Sequence, residues 1–536
     1  MAIQRVTFTE WTPDLPGIAE NLSVALNVVP TAIGYAPFPT AVDYSAAASE
    51  NLNSVTAGRF NATTNVFAGG ATKLFKFDSA DLSMDNVSKS GNYTGVSKWN
   101  FVQFGNTIIA ANNVNKLQGY TLGSSTTFDD LAAAAPVAEY VTVVRDFVVA
   151  ANLDSGTNAN KVQWSDINDE ADWTSGATSQ SDYQVIADGG NIHGITGGEF
   201  GLILLDRAIV RMVYIGSPYF FQFDTIARGI GCIEGNSVAQ YNNTTYFLGA
   251  DGFYSCDGST VTPIGTQKID NWFFDNANPA KLDEMSSTVD PIHKLVVWDF
   301  ISTFGHRLLL IYNWQVQKWS YGTTDVDYVA NIASAGTTLE GLDTNYLVTA
   351  GSFTVGKEYT IASLGTTTFT SIGAAVNVVG ARFTATGVGT GTGTAVDLEA
   401  AAAAGRTLDT MTTSLDDNLW AGGKFLSAGV RDDKVVTFTG ANASAMINTG
   451  DIGSEATSVV TLARPIVDNG SANVAIASRT LLNQTPSYGS YVSADSENRV
   501  SLRSSGKYHR LSIVPTGSQW SNIMAIDVEI TQQGTR

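Results

Sequence analysis

The chain of 536 residues carries 50 acidic and 30 basic side chains, for a formal charge of −20, and is 44% hydrophobic and 15% charged. That much apolar material excludes global disorder, and so acidic a chain does not hold nucleic-acid phosphates by counterion release. Gly, Thr, Ser, Ala and Asn abound, a turn-rich mixture that predicts an all-β protein of about two to four domains.

Residues 1–58 hold five of the thirteen prolines (Pro13, Pro16, Pro30, Pro37 and Pro39), interleaved with Trp11, Tyr35, Phe38 and Tyr44. Proline lacks an N–H and fixes φ, so this density blocks both helix and central strand. The segment reads as an extended arm with aromatic anchors, lying across a neighbouring subunit or strapped over its own body. Its start, MAIQRVTFTEW, lacks the apolar run of a signal peptide, and no window reaches about 18 apolar residues. The expectation is a soluble protein made in a cytoplasm, with no membrane insertion.

From Phe60 to Tyr321 one pattern recurs six times: a polar turn, an apolar strand-length run, a second turn, and a run with aromatics. Anchored on the leading turn (Asn61, Gly105, Arg145, Glu199, Asn242 and Asp290), the spacings are 44, 40, 54, 43 and 48 residues. Short β runs at that period predict a β-propeller of about six blades over residues 59–346. Trp99, Trp164, Trp173, Trp298, Trp314 and Trp319 recur at strand ends and read as blade packing. Residues 351–398, nearly free of charge and punctuated by Gly and Thr, predict a small β module inserted in a loop. The Ala run of DLEAAAAAGRTLDTMTTSLDDN, from Asp397, is a helical signal. Residues 399–536 return to alternation and read as a C-terminal β region, completing the propeller or forming a separate sandwich-like lobe.

Chemistry is sparse. WSDINDEADW sets Asp166, Asn168, Glu170 and Asp172 at alternate positions, but lacks the glycine and terminal glutamate of a calcium loop, Ala177 standing in the latter's place. A turn capped by Asx side chains is the reading. Cys232 and Cys256 match no zinc spacing and read as reduced core residues. The acid pairs Asp416–Asp417 and Asp432–Asp433 are adjacent, which on a strand sends them to opposite faces. No nucleophile elbow, phosphate loop or zinc-protease motif occurs. The expectation is no catalysis, no cofactor and no metal. Arg499, Arg503, Lys507, His509 and Arg510 form a modest basic cluster that could face an acidic partner.

The opening FTEWTPDLPGIAENLSVALNVVPTAIGYAPFPT (from Phe8), the run VQWSDINDEADW (Val162 to Trp173), the blades IHGITGGEFGLILLDRAIVRMVYIG (from Ile192) and FQFDTIARGIGCIEGNSVAQYNNTTYFLGADGFYSCDG (from Phe221), and the ending GKYHRLSIVPTG…IDVEITQQGTR together carry a likeness. The chain resembles the tail nozzle of short-tailed bacteriophages, also called the packaged-DNA stabilisation or tail tubular protein. The insert from Lys357 resembles a module common in phage structural proteins and departs from the plain family pattern.

The resemblance implies a virion protein of the viral tail, assembled in the host bacterial cytoplasm. It would form a homo-hexameric ring below portal and adaptor, retain packaged DNA and conduct it during ejection. Its partners would be the adaptor, a tail fibre or tail tip protein, and double-stranded DNA passing without sequence-specific binding. Trp11, Pro13, Asp14, Leu15, Pro16 and Tyr35 are the expected assembly contacts. The alternative reading is a receptor- or glycan-binding tail protein.

Overall fold

Short apolar runs broken by two-residue polar turns favour antiparallel hairpins. The computed structural model describes residues 2–16, 21–61, 63–79, 81–333, 346–399 and 425–533, and these are nearly all β. Six successive four-stranded meanders occupy residues 52–86, 100–130, 138–185, 192–228, 239–263 and 286–323. The anchors read from sequence fall at the turn between first and second strands. Asn61, Gly105, Arg145 and Asn242 there have φ of 52°, 53°, 52° and 51°, the left-handed geometry of tight hairpin turns.

A seventh four-stranded sheet follows, where only six copies were read from the sequence. Its strands are Tyr328–Ala333, Phe425–Arg431, Lys434–Thr437 and, from the start of the chain, Val42–Asp43. Asp43 lies opposite Val436, and Val42 opposite Thr437. The sheet escaped periodicity because residues 334–424 interrupt its first hairpin and its last strand comes from elsewhere in the chain.

First strands pack on first strands. Asn100–Phe104 contacts both Leu52–Phe60 and Ala138–Val144, and the latter contacts Ile192–Thr196. Tyr328–Ala333 contacts both Ser286–Asp290 and Leu52–Phe60, the sixth and the first in the series. Polar side chains stitch neighbouring sheets through backbone groups: Gln103 Nε2 donates to Arg59 O at 2.7 Å, Val141 N to Asn100 Oδ1 at 2.9 Å, and Val329 N to Ser286 Oγ at 2.8 Å. Trp99, Trp164, Trp173, Trp298 and Trp319 are buried, each with its indole N–H on a backbone carbonyl.

The sixth sheet does not stop at its fourth strand. Tyr321 meets Leu26 of Leu22–Leu26 in parallel, and that strand pairs with Met446–Thr449. The sheet continues through the long strands Ile452–Asp468, Val500–Thr516 and Asn522–Gln532, reaching fourteen strands with Ala2–Thr7, Val28–Thr31 and Gly34–Pro37 among them. Gly34 is required here: a Cβ on it would lie 2.2 Å from Ile523 O. One core cluster joins Trp11, Leu22, Val28 and Tyr35 to Trp298 and Trp319 and to Val474, Ile513 and Ile526. Residues expected to form an extended arm are therefore strands of this chain's own sheet.

The insert has its own four-stranded sheet over residues 347–397 and its own core around Phe353, Tyr359, Phe369 and Phe383. The helical reading after Asp397 and the pair Asp416–Asp417 fall chiefly on residues 400–424, outside the described residues.

Candidate functional site

Two places bear on function: the N-terminal segment, and a cavity where the sheets converge. Trp11, predicted as an assembly contact, is 1% exposed, with ring centroids 4.9 Å from Trp272 and 4.8 Å from Tyr321. Tyr35 is fully buried and donates its hydroxyl to Thr9 O at 3.2 Å. Asp14 accepts from Asn271 N and Trp272 N at 2.9 and 2.8 Å, capping the helix Asp270–Asn276 of its own chain. Pro13 is half-buried, while Leu15 and Pro16 are exposed. The structure thus splits the six: Trp11, Asp14 and Tyr35 face inward, and Leu15 and Pro16 are left at the surface.

The cavity, of about 380 Å³, gathers residues at or just before the first strands of successive sheets, Lys98, Glu139, His193, Glu234 and Glu284 among them. Glu139 Oε1 accepts from Tyr140 OH at 3.0 Å, and Oε2 from Asn152 and Asn113 Nδ2 at 2.6 and 3.3 Å. Glu234 Oε1 accepts from Asn236 N and Nδ2 at 3.0 and 2.9 Å. Lys98 Nζ donates to Asp283 O and Met285 O at 3.0 and 2.6 Å. His193 Nε2 pairs with Asp206 Oδ1 at 2.5 Å.

Burial sets the electrostatics, because a low-polarity surrounding penalises whichever form is charged. It pushes Glu139 and Glu234 above the usual carboxylate range, against the pull of nearby hydrogen-bond donors and His193. It pushes Lys98 down to about 8, against the pull of Asp299 and Glu234. Beside the cavity Asp299, wholly buried, is raised by the same desolvation although Arg307 pairs with it. Arg307 also reaches Glu284 at 3.6 Å and Asp327 at 3.3 Å.

No protein-family model and no curated protein matches the chain. Among solved structures, the computationally designed Ika8 protein aligns over 75% of this chain and 98% of its own, at 11% identity and TM-score 0.33. A chain of the Mitotic Checkpoint Complex aligns over 56% and 87%, at 11% and 0.35. Scores that low carry no statement about fold or role.

The remaining motifs resolve locally. In the Asp166–Asp172 loop the carboxylates cap backbone: Gln180 N donates to Asp166 Oδ1 at 2.7 Å, Ala171 N to Asp169 and Thr174 N to Asp172, each at 2.9 Å. Among the described residues no group of three or more His, Cys, Asp and Glu is placed to hold a metal. Cys232 and Cys256 are free, and both lie in a buried cluster with Leu202, Leu204 and Phe247. The basic cluster is not a common docking face. His509 is 1% exposed between Ser458 and Ser478 at 3.0 and 2.6 Å, Arg510 is bidentate to the buried Asp451, and Arg499 pairs with Asp495 and Glu497.

Sequence reasoning missed the cavity. Lys98, Glu139, His193, Glu234 and Glu284 are 41, 54, 41 and 50 residues apart, which tracks the period of the turn anchors. Each stands six to eight residues ahead of an anchor, at the opposite end of the same strand. A search for ionisable residues at one phase of the repeat would have found them.

Proposed function

We propose that the chain is a structural virion protein: a tail-nozzle subunit that assembles as a hexameric ring below portal and adaptor, retains packaged DNA and conducts it outward, without catalysis. The six meanders and the seventh sheet are read as the blades of a β-propeller, in support of which the first strands of the first four contact in turn, as do those of the fifth, sixth, seventh and first. Six copies at −20 give the ring about −120 before counterions, a field that would keep a passing polyanion from adhering wherever those acids face the bore. The observation that carries the assembly reading is the split within the Trp-x-Pro-Asp-x-Pro stretch. Its inward members pin the segment to the body, and Leu15 and Pro16 stand free to meet an adaptor.

The test is negative-stain microscopy of the purified protein with and without its adaptor, for wild type and for Leu15→Asp with Pro16→Ser. A six-fold annulus on the adaptor ring, lost in the double variant with circular dichroism unchanged, is the expected result. Docking by the double variant would refute the contact assignment. A particle without a duplex-wide hole would refute the conduit. Adsorption of the isolated protein to host cells would favour the receptor-binding alternative. Deleting residues 1–40 would not be a clean test, because it removes strands of the main sheet.

A further inference from the structure

The inserted module buries a lysine ammonium against a carboxylate. Only Lys357, Glu358, Arg382 and Asp397 are charged between residues 351 and 398. Lys357 Nζ lies 3.3 Å from Asp397 Oδ2, and the two side chains are 10% and 9% exposed. Lysine is almost never buried so deeply unless paired, and two ions withdrawn from water lose hydration that their attraction repays poorly. The sheet dictates the meeting. Tyr359 lies directly opposite Asp397 in the antiparallel pair of Glu358–Ser363 with Thr394–Asp397. Ala385 N donates to Lys357 O at 2.9 Å, which carries the ladder back to Lys357. Residues two apart along extended backbone share a face, so Lys357 stands diagonal to Asp397 beside the aromatic core of Phe353, Tyr359 and Phe383. The two carboxylate oxygens are held differently. Glu399 N donates to Oδ1 at 3.0 Å, while Oδ2 faces the ammonium.

We propose that Lys357 and Asp397 condense into an intramolecular amide, a covalent clasp between their side chains. The ammonium passes one proton to Oδ2, leaving an amine beside a carboxylic acid. The Nζ lone pair then attacks Cγ, and negative charge gathers on Oδ1, where the Glu399 N–H already donates. Nζ gives a second proton to Oδ2, the Cγ–Oδ2 bond breaks, and water leaves. Nζ keeps its last proton, so ammonium and carboxylate have become amide and water with nothing else consumed. Between free molecules in water this condensation runs uphill. Groups held in one fold act at an effective molarity of about 10⁵–10⁸ M, and the burial that costs the ions hydration also keeps out the water that would reverse the step. The amide carries no charge, which removes the burial cost of the pair. Tension on the chain either side of the module would then pass through the clasp and spare residues 358–396. Nothing in this assignment depends on the nozzle reading.

Mass spectrometry of the denatured full chain tests it. The wild type should weigh one water less than its sequence requires; a dehydrated fraction that starts partial and grows on incubation is the same reaction in progress. Trypsin should fail to cut after Lys357, so residues 319–382 should appear joined to residues 383–406, with fragmentation placing the branch at Lys357 and Asp397. Lys357→Arg keeps the positive charge but presents a guanidinium, a poor nucleophile, and should show the full mass of its own sequence. Asp397→Ala should do the same. Should either variant fail to fold, the wild-type mass and the branched peptide still decide the matter. A wild type that keeps its full mass after prolonged incubation is an ordinary ion pair, and the proposal falls. Dehydration that persists in Lys357→Arg, or that maps to other residues, overturns it as well.

Discussion

The first five sheets and the fourteen-stranded sheet are built from the same kind of residue but differ in reach. In the former each strand pairs with its neighbour in sequence, and each hairpin is closed by a local turn. In the latter Ala2–Thr7 lies on residues 525–530, Leu26 on Tyr321 and Leu22–Leu26 on Met446–Thr449. Local pairing requires only small loops to close, whereas the composite sheet must bring distant segments together before any burial rewards it. The repeats therefore close their strand pairing locally and bury their apolar faces against neighbouring sheets, and the composite sheet binds the two chain ends to one of them.

The strongest way to break this contrast is through Trp11, where the N-terminal segment enters the shared core. Trp11→Ala should destabilise the protein by about 3–5 kcal/mol, read as a lower midpoint in urea. Trp11→Phe keeps the ring stack and drops an indole N–H that has no partner, so it should cost about 1 kcal/mol. If Trp11→Ala is neutral, the segment is a detachable arm after all.

Asp270 sharpens the comparison from the other side, since it sits where Asp14 of the N-terminal segment meets the fifth sheet. Burial holds its carboxyl up at about 6, against an ordinary 3.8, with the charge of Asp14 adding to the effect and the hydrogen bond from Phe253 N opposing it. The folded state thus holds a proton that the unfolded chain gives up between those values. The contribution to stability is fully present below about pH 3.8 and is lost as pH rises through about 6. Asp270→Asn, neutral throughout, should gain about 1–2 kcal/mol on wild type between about pH 4 and pH 7, a figure reduced for solvent screening. Thermal melts at the two pH values measure it; parallel profiles would remove Asp270 from the account.

Smaller effects are expected at the seventh sheet. Asp43 pairs with Lys434 at 2.7 Å and with Arg431, but all three are partly exposed, so Asp43→Ala should cost only about 0.5–1 kcal/mol. Its mark should be faster hydrogen exchange confined to Tyr44, Val435 and their neighbours. The smallest effect is expected from excising residues 334–424, although this takes Val355 out of the buried cluster it shares with Leu52, Ala330 and Leu426. Ala333 and Phe425 lie directly opposite each other, so a short turn can join them, and the melting midpoint of the remainder should move by a few degrees at most. A large loss would mean that the insert supports the body.

These differences also explain what could be read in advance. Asn61, Gly105, Arg145 and Asn242 were legible because a hairpin turn and its flanking strands are neighbours in sequence. The seventh sheet was not, because Val42–Asp43 carries no signal of pairing with residues 436 and 437. Among the expected contacts, the aromatic and proline pattern located the N-terminal segment but not its orientation. Trp11 and Tyr35 are the large side chains most favoured both for a core and for an interface, so composition alone does not choose between them. The cavity residues were readable only in phase with the repeat, since Lys98, Glu139, His193 and Glu234 form no motif in sequence.

The pairing of Val42–Asp43 with Val436–Thr437 also sets a clock on synthesis. Asp43 and Lys434 are 391 residues apart, and at about 5–20 residues per second a ribosome needs about 20–80 s to deliver the second after the first. Through that interval Val42–Asp43 waits without its partner strand, while the hairpins that follow it are closed by their own local turns. Chaperones of the translating cell would meet the protein in that half-made form.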